Sequence, residues 1–162
     1  MTTALEVRHA KAELQAYALE VMQQHGLLRD GWSFKWNQRK QSFGLCNYTR
    51  KEIQLSAFMV NCGESIESMK GTVVHEVAHA LTPGAKHGPV WQAKMVELGQ
   101  DPKRAREAQG AKITYKWSLG CPSCDFKAGY HRRPSTKRRS SCPKCSGGRF
   151  NAEFELKLTQ HR

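Results

Sequence analysis

Apolar side chains recur at Val7, Ala10, Leu14, Tyr17, Ala18, Val21 and Met22, a spacing that places them on one face of a helix, and Gly26 stands where the run would stop. Residues 4–25 are therefore predicted as an amphipathic helix packing on a sheet. The period then falls to two. Trp32, Phe34 and Trp36 alternate with Ser33 and Lys35, Phe43 and Leu45 with Gly44 and Cys46, and Ile53 and Leu55 mark a third short run. The polar pieces Gln38–Gln41 and Asn47–Lys51 suit hairpin turns, so the pattern predicts a three-stranded antiparallel meander. After a loop over 61–64 the helical period returns from about Ser65 to Leu81, with Val74, Val77, Ala78 and Leu81 on one face and Ser68, Thr72, His75 and His79 on an adjacent polar one. Thr82-Pro83-Gly84 ends that helix, and Pro89 suits the first turn of another carrying Trp91, Met95, Val96 and Leu98. Asp101-Pro102 reads as the cap and first turn of a short helix to about Ala108.

From Lys112 the texture changes. Ile113, Tyr115 and Trp117 alternate as in a strand, and residues 149–158 alternate with Phe150, Ala152, Phe154, Leu156 and Leu158 on one face. Between these segments lie Cys121-Pro-Ser-Cys124 and Cys142-Pro-Lys-Cys145, separated by 17 residues. Two such knuckles predict a structural zinc site with four thiolate ligands and no open position; redox pairs normally stand alone at a helix start. The segment has few large apolar residues, so the metal is expected to drive its folding. The sequence thus divides into residues 1–110 and residues 111–162, an α+β chain with a small β module after the larger part.

Charge sharpens this division. The 162 residues carry 26 Lys and Arg against 14 Asp and Glu, a net of +12. Residues 1–100 hold 11 basic and 9 acidic side chains, whereas residues 101–162 hold 15 and 5. A basic C-terminal part points to a polyanion, nucleic acid first and an anionic membrane second. Its densest run is His131-Arg132-Arg133-Pro134-Ser135-Thr136-Lys137-Arg138-Arg139. Such a loop is often only solvated surface, but on a zinc-braced module Arg132, Arg133, Lys137, Arg138 and Arg139 form a phosphate-contacting set, with Tyr130 and Trp117 as stacking faces. No stretch has the roughly 18 apolar residues of a membrane span, and the start lacks a signal peptide's pattern. A cytoplasmic protein is expected, and there six cysteines favour metal over disulfides. Cys46 and Cys62 are expected as small buried apolar residues, and His9, His25 and His161 as surface residues.

The chemistry concentrates in GTVVHEVAHALTPGAKHGPVW, residues 71–91. His75 and His79 stand one helical turn apart with Glu76 after the first, the H-E-x-x-H arrangement that presents two imidazoles to one zinc and a carboxylate to water. A catalytic zinc needs a third protein ligand and leaves its fourth position open. The His-x2-Gly-x2-His continuation fails at Thr82 and Ala85. His87 is preferred, because a Pro-Gly turn and the small Gly88 let the backbone return it to the metal, while Glu97 stays open as a rival. Glu76 is placed to take a proton from water and deliver it to a leaving amine.

HEVAHAL followed by HGPVW and a helix ending in LG, after a K-x-x-x-G-x-C strand (Lys40, Gly44, Cys46) and an I-x-L-S strand (Ile53 to Ser56), resembles the SprT-like (Spartan-type) zinc metalloprotease family. The four-cysteine module is similar to the zinc ribbon that follows the protease domain in bacterial members. The resemblance implies a zincin-like metalloprotease domain with an N-terminal helix, a three-stranded antiparallel sheet and the HExxH helix, followed by a zinc ribbon. It further implies one catalytic Zn²⁺ on His75, His79 and His87, one structural Zn²⁺ on Cys121, Cys124, Cys142 and Cys145, and Glu76 as the catalytic residue. By family it implies DNA-stimulated cleavage of proteins, notably those crosslinked to DNA. Expected partners are DNA, single-stranded or damaged, and protein substrates, with no membrane, for a monomer in the cytoplasm or at a prokaryotic nucleoid. The alternative is a DNA-binding regulatory or accessory protein whose HExxH zinc is structural; a third reading is a toxin-response or repressor-cleaving peptidase. Whether DNA activates or only tethers is open.

Overall fold

Thr3 caps the first helix, α1 (Ala4–Gln24): its hydroxyl accepts from the Glu6 N–H at 3.2 Å and the Glu6 carboxylate accepts from the Thr3 N–H at 2.6 Å. In this computed structural model, which describes residues 3–102, 113–135 and 137–161, the chain forms two compact units, Met1–Lys112 and Ile113–Arg162. Leu14, Ala18, Val21 and Met22 are the buried face of α1. That helix lies chiefly against the histidine-bearing helix rather than on the sheet, which it meets chiefly at its first strand. Lys70 fixes the contact through Glu13 at 2.7 Å and lies over the Tyr17 ring.

The sheet of the first unit corrects the predicted antiparallel meander. Strands β1 (Ser33–Asn37), β2 (Gly44–Asn47) and β3 (Glu52–Ser56) are ordered β1-β3-β2, with β3 parallel to β1 and antiparallel to β2. The turn over 47–51 makes the expected hairpin; the link from β1 does not. It passes the end of β3, where Ser56 donates its hydroxyl to the Arg39 carbonyl and its N–H to the Phe43 carbonyl at 2.8 Å. The reason is burial. Ile53 and Leu55 are fully buried while β1 and β2 are only half-buried, so β3 takes the centre, and alternation alone does not encode strand order.

Ser56 also starts a helix over a stretch to which the sequence pattern assigns no element before the loop at 61–64, α2 (Ala57–Asn61), by accepting from the Met59 N–H at 3.3 Å. Then come α3 (Ile66–Leu81), capped by Ser65, and α4 (Pro89–Glu97), with Pro89 in its first turn. Val74, Ala78, Trp91 and Met95 form a buried cluster between α3 and α4. Val96, expected on that face, is 62% exposed. The short helix expected to about Ala108 lies outside the described residues.

The second unit is a three-stranded antiparallel sheet, β4 (Trp117–Gly120), β5 (Lys127–Tyr130) and β6 (Lys157–Gln160), in the order β5-β4-β6. The strand expected from Ile113 starts at Trp117. The strand expected over 149–158 is also corrected: Asn151 accepts from the Glu153 N–H and starts a 3₁₀ turn at Ala152–Phe154, so Phe150 is left 51% exposed, and after an isolated bridge between Glu155 and Ser141 the pairing with β4 begins at Lys157. Among the described residues no helix is long and apolar enough to cross a membrane.

Candidate metal centres

Helix α3 runs unbroken through His75 and His79 because its breakers lie just beyond. Thr82 closes it by donating its hydroxyl to the Ala78 carbonyl at 2.7 Å, and Gly84 takes φ +82°, which a side chain would resist. Two short turns follow, Ala85 N–H to Thr82 and Gly88 N–H to Ala85, and Gly88 becomes the N-cap of α4. His87 is thereby returned over α3. Its Nε2 lies 3.1 Å from Nε2 of His75 and 3.1 Å from Nε2 of His79. Zinc–nitrogen bonds of about 2.0–2.1 Å at tetrahedral angles place ligand nitrogens about 3.3 Å apart, so this set fits one divalent transition-metal ion. Burial, then the neighbouring His87, pushes His79 down to about 4, which keeps its ring neutral and its lone pair available at neutral pH.

Glu97 is not part of this cluster. It accepts from Lys94 at 2.6 Å and lines a separate cavity with Tyr17, Val21 and Val74.

Glu76 is 8% exposed beside the histidines. Burial pushes its carboxyl up to about 7, while the Cys46 N–H donates to it and favours the charged form. That hydrogen bond requires β2 to lie directly on α3, which is what Gly44 permits. A Cβ at Gly44 would stand 2.8 Å from both Glu76 Cγ and Thr72 Cγ2. Gly44→Ala is therefore expected to lower stability by about 1–3 kcal/mol, the range for overpacking a filled site. Denaturant melts check this, and an unchanged midpoint contradicts the contact.

His79, His87 and Glu76 open on a cleft of about 940 Å³ whose other walls include Leu45, Cys46, Tyr48 and Gln92. The Tyr48 hydroxyl donates to the His79 carbonyl at 2.9 Å, tying β2's end to the last turn of α3. Cys46 is half-buried in the cleft wall rather than a core residue; burial and the Glu76 carboxylate push its thiol up to about 12. Sequence reasoning passed over Tyr48 and assigned no task to Gly44 or the Cys46 backbone, although all three fall in one strand and its end, directly upstream of the turn to β3.

The four predicted cysteines also meet. Cys124 and Cys142 sulfurs lie 3.6 Å apart, those of Cys121 and Cys145 4.0 Å, and all four are within 4.8 Å of one another. Zinc–sulfur bonds of about 2.3 Å at tetrahedral angles give sulfur separations of about 3.8 Å, so the set fits zinc. Backbone N–H groups of Ser123 and Phe126 donate to Cys121 and Cys124 sulfurs at 3.4 Å. Burial works against the Cys142 thiolate, but the Cys145 and Lys144 N–H groups together with the Cys124 and Cys121 side chains outweigh it and bring that thiol down to about 7.

The basic residues divide. Arg132, Arg133, Lys137 and Arg138 are exposed, with the Arg133 guanidinium over the Trp117 ring at 5.5 Å. Arg139 makes a two-pronged pair with Glu155 at 2.5 and 2.8 Å and covers Phe150. His161, expected at the surface, instead bonds the buried Ser118 hydroxyl at 2.8 Å and donates its N–H to the Lys116 carbonyl, tying the last described residue to the start of β4.

The SprT-like family matches residues 10–116 of the chain. No curated protein and no solved structure matches it.

Proposed function

The chain belongs to the SprT-like family, and from that premise we propose that it is a zinc-dependent endopeptidase acting on proteins held on DNA. The reading rests on one observation: three imidazole nitrogens converge beside a buried carboxylate at the base of an open cleft. In this reading residues 1–110 are a zincin-like protease domain and residues 111–162 a zinc ribbon. His75, His79 and His87 hold the catalytic ion, which supplies Lewis acidity toward a peptide carbonyl and toward water. Glu76 then does the proton work. Its carboxylate takes a proton from the attacking water and passes it to the departing amine, with the Cys46 N–H fixing the carboxylate's orientation. Leu45, Tyr48 and Gln92 bound the space for the polypeptide. The ribbon's ion, on Cys121, Cys124, Cys142 and Cys145, is structural.

DNA, single-stranded or damaged, is the proposed partner, and proteins crosslinked to it the proposed substrates, in the cytoplasm or at a nucleoid. Support comes from charge: residues 113–162 carry 11 basic and 3 acidic side chains. Replacing Arg132, Arg133, Lys137 and Arg138 together by alanine is expected to weaken single-stranded DNA binding and flatten its salt dependence, each lost phosphate contact lowering the slope by about 0.7. Arg139→Ala is expected to change the slope less, because Glu155 already neutralises that guanidinium. Equal slopes for all three chains, read by titrations at several salt concentrations, contradict the interface.

The deciding test incubates the zinc-loaded chain with a protein bound to single-stranded DNA and follows fragments on a gel. Cleavage that chelation stops is expected. Binding that is steeply salt-dependent but without turnover is the behaviour of a regulatory protein whose three-histidine ion is structural, and it overturns the peptidase reading.

A further inference from the structure

Trp91 lies four residues after His87, one turn into α4, and is fully buried. Its indole shares a buried cluster with Val74, Ala78 and Met95. It also meets all three candidate ligands: His79 stacks on it with ring centres 5.3 Å apart and planes 26° apart, while His75 and His87 stand steeply to it at 4.8 and 4.6 Å. Side-chain packing in an apolar interior fixes a ring's tilt, and a single rigid bicycle touching three rings fixes all of them together. The indole does this at a cost. Among the described residues its buried Nε1–H has no hydrogen-bond partner. A phenylalanine would bury a ring in the same place without stranding a donor, so folding alone does not account for the indole.

We propose that Trp91 is the positioning residue of the three-histidine site, a shared floor that sets the ring orientations in which the Nε2 atoms converge on a divalent transition-metal ion. The inference rests on the metal-site reading of His75, His79 and His87. Metal ligands need a supporting layer that fixes ring orientation, and an aromatic surface in contact with three ligands at once is such a layer. Its size also matters, because the indole spans from His75 and His79 on α3 to His87, two residues before α4.

The test is Zn²⁺ affinity of the metal-free chain, by competition with a colorimetric chelator, with the His87→Ala chain reporting the cysteine site separately. Trp91→Phe is expected to weaken the histidine site by about 10–100-fold, the usual effect of losing a ligand's supporting partner, with a modest loss of thermal stability from the smaller ring. Met95→Ala, which thins the same buried cluster at a residue outside the ligand set, is expected to lower stability and to weaken the site far less than Trp91→Phe does. Parental affinity in Trp91→Phe, or an equal loss in Met95→Ala, overturns the proposal. If Trp91→Phe does not fold, the unaltered chain decides by NMR: a buried indole N–H resonance must shift on Zn²⁺ addition, and must not shift in the His87→Ala chain. An unmoved resonance overturns the positioning role. A parent chain that binds no ion at its histidines sinks both this inference and the metal site beneath it.

Discussion

Glu76→Gln is expected to leave the protein folded and metal-loaded while lowering peptide hydrolysis by about 10²–10⁴-fold, the usual worth of a positioned general base. The substitution is close to isosteric, so the tight fit under Gly44 survives, and the amide oxygen can still accept from the Cys46 N–H. Burial already disfavours the native charge, holding the carboxyl at about 7, so a neutral amide does not lower stability at neutral pH. What disappears is the ability to take up a proton. Metal content, melting midpoint and fragment yield measured on one preparation separate these effects. A glutamine chain that cleaves at the parental rate removes Glu76 from the chemistry.

His87→Ala is expected to abolish cleavage and remove about one of two bound zinc ions per chain. Two histidines a turn apart do not complete a tetrahedral zinc site, and the other two positions cannot both be surrendered to solvent without loss of affinity. The third nitrogen comes from a residue outside α3, 3.1 Å from both partners. Glu97→Ala is expected to keep both ions, because that carboxylate sits with Lys94 beside a separate cavity. Elemental analysis after dialysis reads the result directly. Loss of the ion in Glu97→Ala and its retention in His87→Ala would reverse the assignment.

Most of the site's parts are written in local sequence. His75, Glu76 and His79 are fixed relative to one another by a single helical turn, and the two Cys-Pro-x-Cys knuckles by their own tight loops, so spacing alone named them. His87 was within reach because Pro83, Gly84 and Gly88 announce a reversal between α3 and α4. Gly44, Tyr48 and Trp91 are different. Each acts through a contact across elements: β2 lying on α3, the Tyr48 hydroxyl reaching the His79 carbonyl, and an indole under three rings. Periodicity records that such residues are apolar or small, not what they face.

The same limit explains the sheet. Alternation identified all three strands of the first unit, but their order depends on which strand is buried most deeply, a property of the assembled layers. Ile53 and Leu55 win the centre, and the link through Arg39 and Phe43 is pinned by Ser56 only once β3 is there. In the second unit the alternation of Phe150 to Leu158 suggested more strand than exists, because Asn151 offers the backbone a local hydrogen bond that competes with pairing. The mixed α+β character and the four-cysteine cluster, by contrast, were legible before any contact was known.

The claim that ties these observations together is that hydrolysis depends on an ion held by His75, His79 and His87. The most direct measurement is a zinc titration of the metal-free chain against a protein bound to single-stranded DNA, following fragment formation as ion is added. No cleavage is expected without metal, cleavage should rise as the histidine site fills, and none is expected at any zinc concentration in the His87→Ala chain. A metal-free chain that cleaves as fast as the loaded one, or a His87→Ala chain that follows the parental curve, would contradict it.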